Sequence, residues 1–175
     1  MTAPNSDSRA SILTELKSAR AAFHALLDSL SDEDLRRRSL NPGWTNGEIL
    51  FHMTFGFMLI PPLVPMLRLF GRLPKRFSRA FAWLLNAGTP LFNWVNALGA
   101  RGGGKVYDRP AIARKYDRVH ASILRIVDSI KDDEWQCGMY YPHKWDHLFD
   151  EYMTLEQVLR YPTIHLRFHL DQIAR

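Results

Sequence analysis

The sequence predicts an all-α fold, a four-helix bundle with an extra apolar helical insertion between its second and third helices. Three observations lead there. Residues 9 to 30 and 110 to 131 repeat apolar side chains at intervals of three and four. Two further segments open on capping boxes, T-x-x-E from Thr45 to Glu48 and T-x-x-Q from Thr154 to Gln157. No segment shows the alternation of a half-buried strand, so helices must bury their stripes against one another. With 175 residues, 46% of them apolar, the chain is read as a single domain, 1–175, with one substantial core.

Met1 to Ala10 is polar and has no signal-peptide hydrophobic region, so residues 1–8 are expected to form a short flexible tail. The first helix carries Ile12, Leu16, Ala19, Phe23, Leu27 and Leu30 on one stripe. It ends at the acidic run Ser31 to Asp34, and Asn41-Pro42-Gly43 makes the turn into the second helix, which is capped at Thr45. The third helix starts near Pro110 and presents Ile112, Tyr116, Val119, Ile123, Ile126, Val127 and Ile130. Another acidic run, Lys131 to Glu134, closes it, and the fourth helix is capped at Thr154. Proline costs about 3 kcal/mol in a helix interior, so the fourth helix is expected to bend or restart at Tyr161-Pro162.

Residues 61–106 are the insertion. Phe51 to Phe70 is almost wholly apolar but contains Pro61, Pro62 and Pro65, while Phe81 to Leu98 has no charged residue. Both approach the roughly 20 apolar residues of a membrane span. The prolines, His52 in the first piece, and Asn86, Gly88, Pro90, Asn93 and Asn96 in the second argue against spanning. Broken helices that cover the bundle, form a homodimer interface, or touch a membrane peripherally through 56–98 are expected instead. Arg101-Gly102-Gly103-Gly104-Lys105 reads as a flexible linker into the third helix and lacks the G-K-S/T ending of a phosphate loop.

The net charge is +5, with clusters at Arg36–Arg38 and from Arg68 to Arg79. Neither sits in a nucleic-acid motif, so the expected partner is a small-molecule substrate and not nucleic acid. One cysteine, Cys137, excludes an intrachain disulfide framework, and a reducing, cytoplasmic location is expected, with a membrane-peripheral one as the variant.

The chemistry is concentrated in histidines. His165 and His169 lie one turn apart and project from one face, where imidazoles can share a divalent metal. His52 lies seven residues after its cap at Thr45, and His165 and His169 lie eleven and fifteen after Thr154. These offsets differ by fours, so two packed helices can bring all three together. Zn or Ni is expected first, with Fe or Mn as alternatives. Buried structural histidines give the same pattern and stand as the competing reading. Glu48 and His120 are candidate catalytic helpers, although capping explains Glu48 and core packing explains His120; His24 is a further option. His143 and His147, beside Asp146, are read as loop residues, with Tyr141 and Trp145 as candidate cofactor-binding residues at a pocket mouth.

Trp44-Thr45-Asn46-Gly47-Glu48-Ile49-Leu50-Phe51-His52, a W-T-x-x-E-x-L-x-H segment, together with the late H-x-x-x-H-x-x-Q-I from His165 to Ile173, resembles the DinB-like (DinB/YfiT) superfamily of metal-binding four-helix bundles. The resemblance covers residues 9 to 60 and 108 to 175. It implies metal ligation by His52, His165 and His169. Bacillithiol S-transferases and mycothiol-dependent isomerases of that superfamily imply a low-molecular-weight thiol cofactor and an S-transferase. A metal-dependent hydrolase and a non-catalytic, partner- or membrane-associating protein are the alternatives.

Overall fold

The computed structural model describes residues 4–106 and 108–174. Its four bundle helices are α1 (Pro4–Ser29), α3 (Asn46–Met58), α7 (Arg109–Ser129) and α8 (Leu155–Leu170). They pack together and supply most of one continuous core. Ile12, Leu16, Phe23 and Leu27 of α1 meet Ile49, Leu50, Met53 and Phe57 of α3, with Tyr116, Ile123 and Val127 of α7 and Leu159 and Leu166 of α8. Burial of such side chains contributes about 1.5–3 kcal/mol each relative to exposure, which is why the sequence periodicity located these helices. Phe23 and Tyr116 stack at 3.9 Å across the α1–α7 contact.

The starts of the helices follow the side-chain chemistry read in the sequence. Thr45 accepts from the Glu48 amide while the Glu48 carboxylate takes the Thr45 amide, and Thr154 and Gln157 do the same for α8. Ser31 and Asp34 form a third such box on the short α2 (Asp32–Arg36). Residues 4–8 are helical, which corrects the expected flexible tail over that stretch; residues 1–3 lie outside the described residues. Asp7 in the first turn favours the helical conformation there.

Between α3 and α7 the chain forms α4 (Ile60–Gly71), α5 (Lys75–Ala87) and α6 (Thr89–Val106). Pro61 and Pro62 occupy the first positions of α4, where they cannot donate backward, so the break from α3 is confined to Leu59. Asn46–Gly71 is long and apolar enough to cross a membrane, but 56% of its most apolar window is buried inside the protein, and it carries core residues and His52. A salt bridge from Arg68 to Glu134, 2.9 Å, ties α4 to the loop after α7.

The glycine run is not a linker. It lies within α6, whose backbone is pressed against α3: a Cβ on Gly103 would lie 2.3 Å from the Phe51 ring, and one on Gly104 would lie 2.8 Å from the Glu48 Cα. Glycine is used here for close helix approach, a role that reads in sequence like chain flexibility.

Two three-residue strands, β1 (Gly138–Tyr140) and β2 (Tyr152–Thr154), pair antiparallel, with Gly138 opposite Thr154. They are too short for alternation to be visible. Because β2 runs straight into the Thr154 cap, the hairpin fixes where α8 begins. That helix does not restart at Pro162 but continues to Leu170. Only one amide donor is lost there, and both histidines stay in a single helical register.

Candidate metal centre

His52 projects from the second turn of α3, and His165 and His169 from the last two turns of α8. The structure brings the three together. Their ligand atoms lie within 4.8 Å of one another, and His165 Nε2 is 3.2 Å from both His52 Nε2 and His169 Nε2. A cation about 2.1 Å from each nitrogen would hold neighbouring nitrogens about 3.0 Å apart in octahedral and about 3.4 Å apart in tetrahedral geometry. The two 3.2 Å spacings at His165 fall between these values.

Proton accounting supports a cation at this point. His169 Nδ1 is 2.9 Å from Gln172 Oε1, an acceptor, so Nδ1 carries the proton and Nε2 presents a lone pair to the centre. A single N–H on His165 Nε2 cannot point at two neighbours. His165 Nε2 has one in-plane position, N–H or lone pair, so only one of the two 3.2 Å contacts can be a well-aligned hydrogen bond, whereas a cation between the three nitrogens would satisfy both. Burial and the neighbouring imidazoles push His52 down to about 2, and burial likewise pushes His165 down to about 3. Burial lowers His169 as well. All three are neutral near pH 7, the form that ligates.

The surroundings hold these rings in place. Trp44 packs edge-on against His52 at 4.6 Å. Gly56 faces His165, and a Cβ there would lie 2.5 Å from Nδ1, so the ring occupies the space a side chain would take. Gln172 is the partner of His169, and Asn41 Nδ2 donates to the same Oε1 at 3.1 Å. Asn46 clamps the following backbone, donating to the Ala174 carbonyl and accepting from its amide. Asn41, Asn46 and Gly56 escaped the sequence reading because their roles depend on contacts with residues more than 100 positions away.

Gln172→Ala is expected to weaken metal binding about 10–100-fold, the usual cost of removing an outer partner of a ligating histidine. Competition with a chromogenic chelator measures it; unchanged affinity would show that Gln172 does not orient the ring.

The other candidates divide. The Glu48 carboxylate is held by the Thr45 amide at 2.7 Å, and His120 Nε2 contacts the Leu16 carbonyl at 2.9 Å between α1 and α7. Neither lines the cavity that contains the three histidines. His24 contacts Asp117 at 2.8 Å, beside Arg20. Tyr141, Trp145, Asp146 and His147 do line it, while His143 does not.

That cavity has a volume of about 320 Å³. Phe55, Leu59, Leu63 and Met66 form one wall, Leu85, Phe92 and Asn96 of α5 and α6 another, and the loop from Tyr141 to Phe149 a third. Trp145 stacks on Phe92 at 4.0 Å and donates Nε1–H to the Leu85 carbonyl, joining that loop to the insertion. The Tyr161 hydroxyl donates to Asp146 at 2.6 Å, and burial with this neighbour holds it protonated. The Asp146 charge also favours the cationic forms of His52 and His169, though burial outweighs it. Tyr141 Oη and Asn96 Oδ1 are buried without a partner among the described residues.

Packed helices enclosing three convergent imidazoles beside an apolar cavity define a helical-bundle protein with a metal-competent centre. The chain belongs to the DinB superfamily, whose family model matches residues 15–173. The match runs through the middle helices, beyond the two stretches that carry the resemblance in sequence. Comparisons with curated proteins and with solved structures gave no match.

Proposed function

We propose that this protein is a metal-dependent S-transferase joining a low-molecular-weight thiol, of the bacillithiol or mycothiol type, to an electrophile with an apolar body. The observation that carries the reading is the convergence of three neutral imidazole nitrogens in the wall of a largely apolar cavity. A divalent cation, when bound, supplies Lewis acidity that favours the thiolate form of a thiol at neutral pH.

The chain's own residues do the rest. Phe55, Leu59, Leu63, Met66 and Phe92 receive the apolar body and exclude water. Tyr141 Oη and Asn96 Oδ1 offer a donor and an acceptor to a polar part of the ligand. Tyr161, protonated and held by Asp146, fixes the loop beside the histidines and is unsuited to act as a base. A carbon–sulfur bond forms as the leaving group departs with its electron pair, and the thiol proton passes to solvent. Hydrolysis is the weaker reading: Asp146, the carboxylate lining the cavity, already accepts from Tyr161 and from the Leu148 amide.

The test incubates metal-loaded protein with a panel of low-molecular-weight thiols and chlorodinitrobenzene. Conjugation above background is expected in the wild type and not in His165→Ala; equal rates in the two would sink the transferase reading.

A further inference from the structure

Nine of the twelve large apolar side chains exposed among the described residues lie between Leu69 and Leu98. They follow helical spacing. On α5, Phe77, Trp83 and Leu84 share a face with Arg76 and Ala80; on α6, Leu91, Trp94, Val95 and Leu98 recur at three and four and lead to Arg101. Trp83 is 72% exposed and Trp94 62%, far from the usual burial of tryptophan. The opposite faces of the same helices are occupied, with Leu85, Phe92 and Asn96 lining the cavity and Ala82 and Ala100 in the interior.

Charge indicates what covers this surface. From Ile49 to Tyr107 the sequence holds seven of the 23 basic residues and none of the 18 acidic ones, so the rest of the chain, 16 basic to 18 acidic, is slightly negative. The whole positive charge of the protein thus belongs to the segment with the exposed apolar stripes. Arg72, Lys75, Arg76, Arg79 and Arg101 are exposed there. In a two-fold dimer the same patch meets itself, setting basic residues against basic residues. An anionic bilayer surface matches both features: headgroups attract arginine and lysine, and tryptophan favours the boundary between headgroup and acyl chain.

We propose that α5 and α6 dock the protein peripherally on anionic membranes, with Trp83, Leu84, Leu91, Trp94 and Leu98 entering the headgroup boundary and Arg72, Arg76 and Arg101 contacting lipid phosphate. The helices lie in the interface, since their inner faces are committed to the protein. This proposal stands independently of the metal-centre chemistry.

Flotation of the full chain with phosphatidylcholine vesicles, with and without phosphatidylglycerol, tests it. Association with the anionic vesicles at low salt, a blue shift of tryptophan emission, and release at high salt are expected. Trp83→Ser combined with Trp94→Ser should lower partitioning at least about tenfold, and each of Arg72→Gln, Arg76→Gln and Arg101→Gln about fivefold. All these side chains are exposed, and circular dichroism verifies folding of the variants. Absence of flotation at low salt overturns the proposal. So does sedimentation showing a stable wild-type dimer that the double tryptophan variant abolishes, which would assign the stripes to a second copy.

Discussion

Substituting His165 by alanine is expected to leave a folded protein that no longer retains divalent metal. His165 is the middle of the three histidines: its Nε2 lies 3.2 Å from the Nε2 of each of the others. Its removal leaves one nitrogen of the cluster from α3 and one from α8. The loss of affinity should far exceed the roughly 10–100-fold cost of an outer-partner substitution. Stability should suffer less, because the vacated space adjoins an existing cavity. Elemental mass spectrometry on tag-free protein should find near-stoichiometric metal in the wild type and almost none in His165→Ala. His120→Ala is the informative companion. It deletes a histidine that is as deeply buried but contacts the Leu16 carbonyl away from the centre, so it should lower stability while retaining the metal. Equal metal in wild type and His165→Ala would return the three histidines to a purely structural role.

The convergence of the three histidines was legible in sequence because local chemistry fixes where each emerges. A capping box sets where a helix begins, and counting from Thr45 and Thr154 gives the face on which each histidine emerges. The apolar stripes of α1 and α7 were legible for the same reason, since a period of 3.6 belongs to the helix itself. His120 shows the limit. It fills the α7 stripe between Tyr116 and Ile123, and a polar residue on a core face does not announce whether it serves chemistry or packing. Only its contact with Leu16, more than a hundred residues earlier, decides.

Glycine marks the same limit more sharply. At Gly56 the missing side chain makes room for the His165 ring, and at Gly103 and Gly104 it lets α6 lie against α3. None of the three has a positive φ. What they accommodate is another part of the chain, and a run such as Arg101 to Lys105 looks identical in sequence whether it is solvated or pressed against a helix.

That distinction has a measurable sign. In an exposed helix, replacing glycine by alanine stabilises by up to about 1 kcal/mol, because alanine loses less backbone entropy on folding. Gly102→Ala should show this gain or no change, as nothing lies within 4 Å of the added Cβ. Gly104→Ala should do the opposite. Its Cβ would lie 2.7 Å from Glu48 Cγ, 2.8 Å from Glu48 Cα and 2.9 Å from Glu48 N. Two of these are backbone atoms inside the capped first turn of α3, so no rotamer change relieves the clash and α6 must move outward. Overpacking of this kind typically costs about 1–3 kcal/mol, enough to reverse the propensity gain. For a chain of this size the melting temperature should fall by about 4–10 °C relative to Gly102→Ala. The same displacement would carry Phe92 and Asn96 away from the cavity they help to wall, so ligand binding should weaken with stability. If the two variants melt together, α6 is not seated on α3 and the glycine run is the flexible connection its composition suggests.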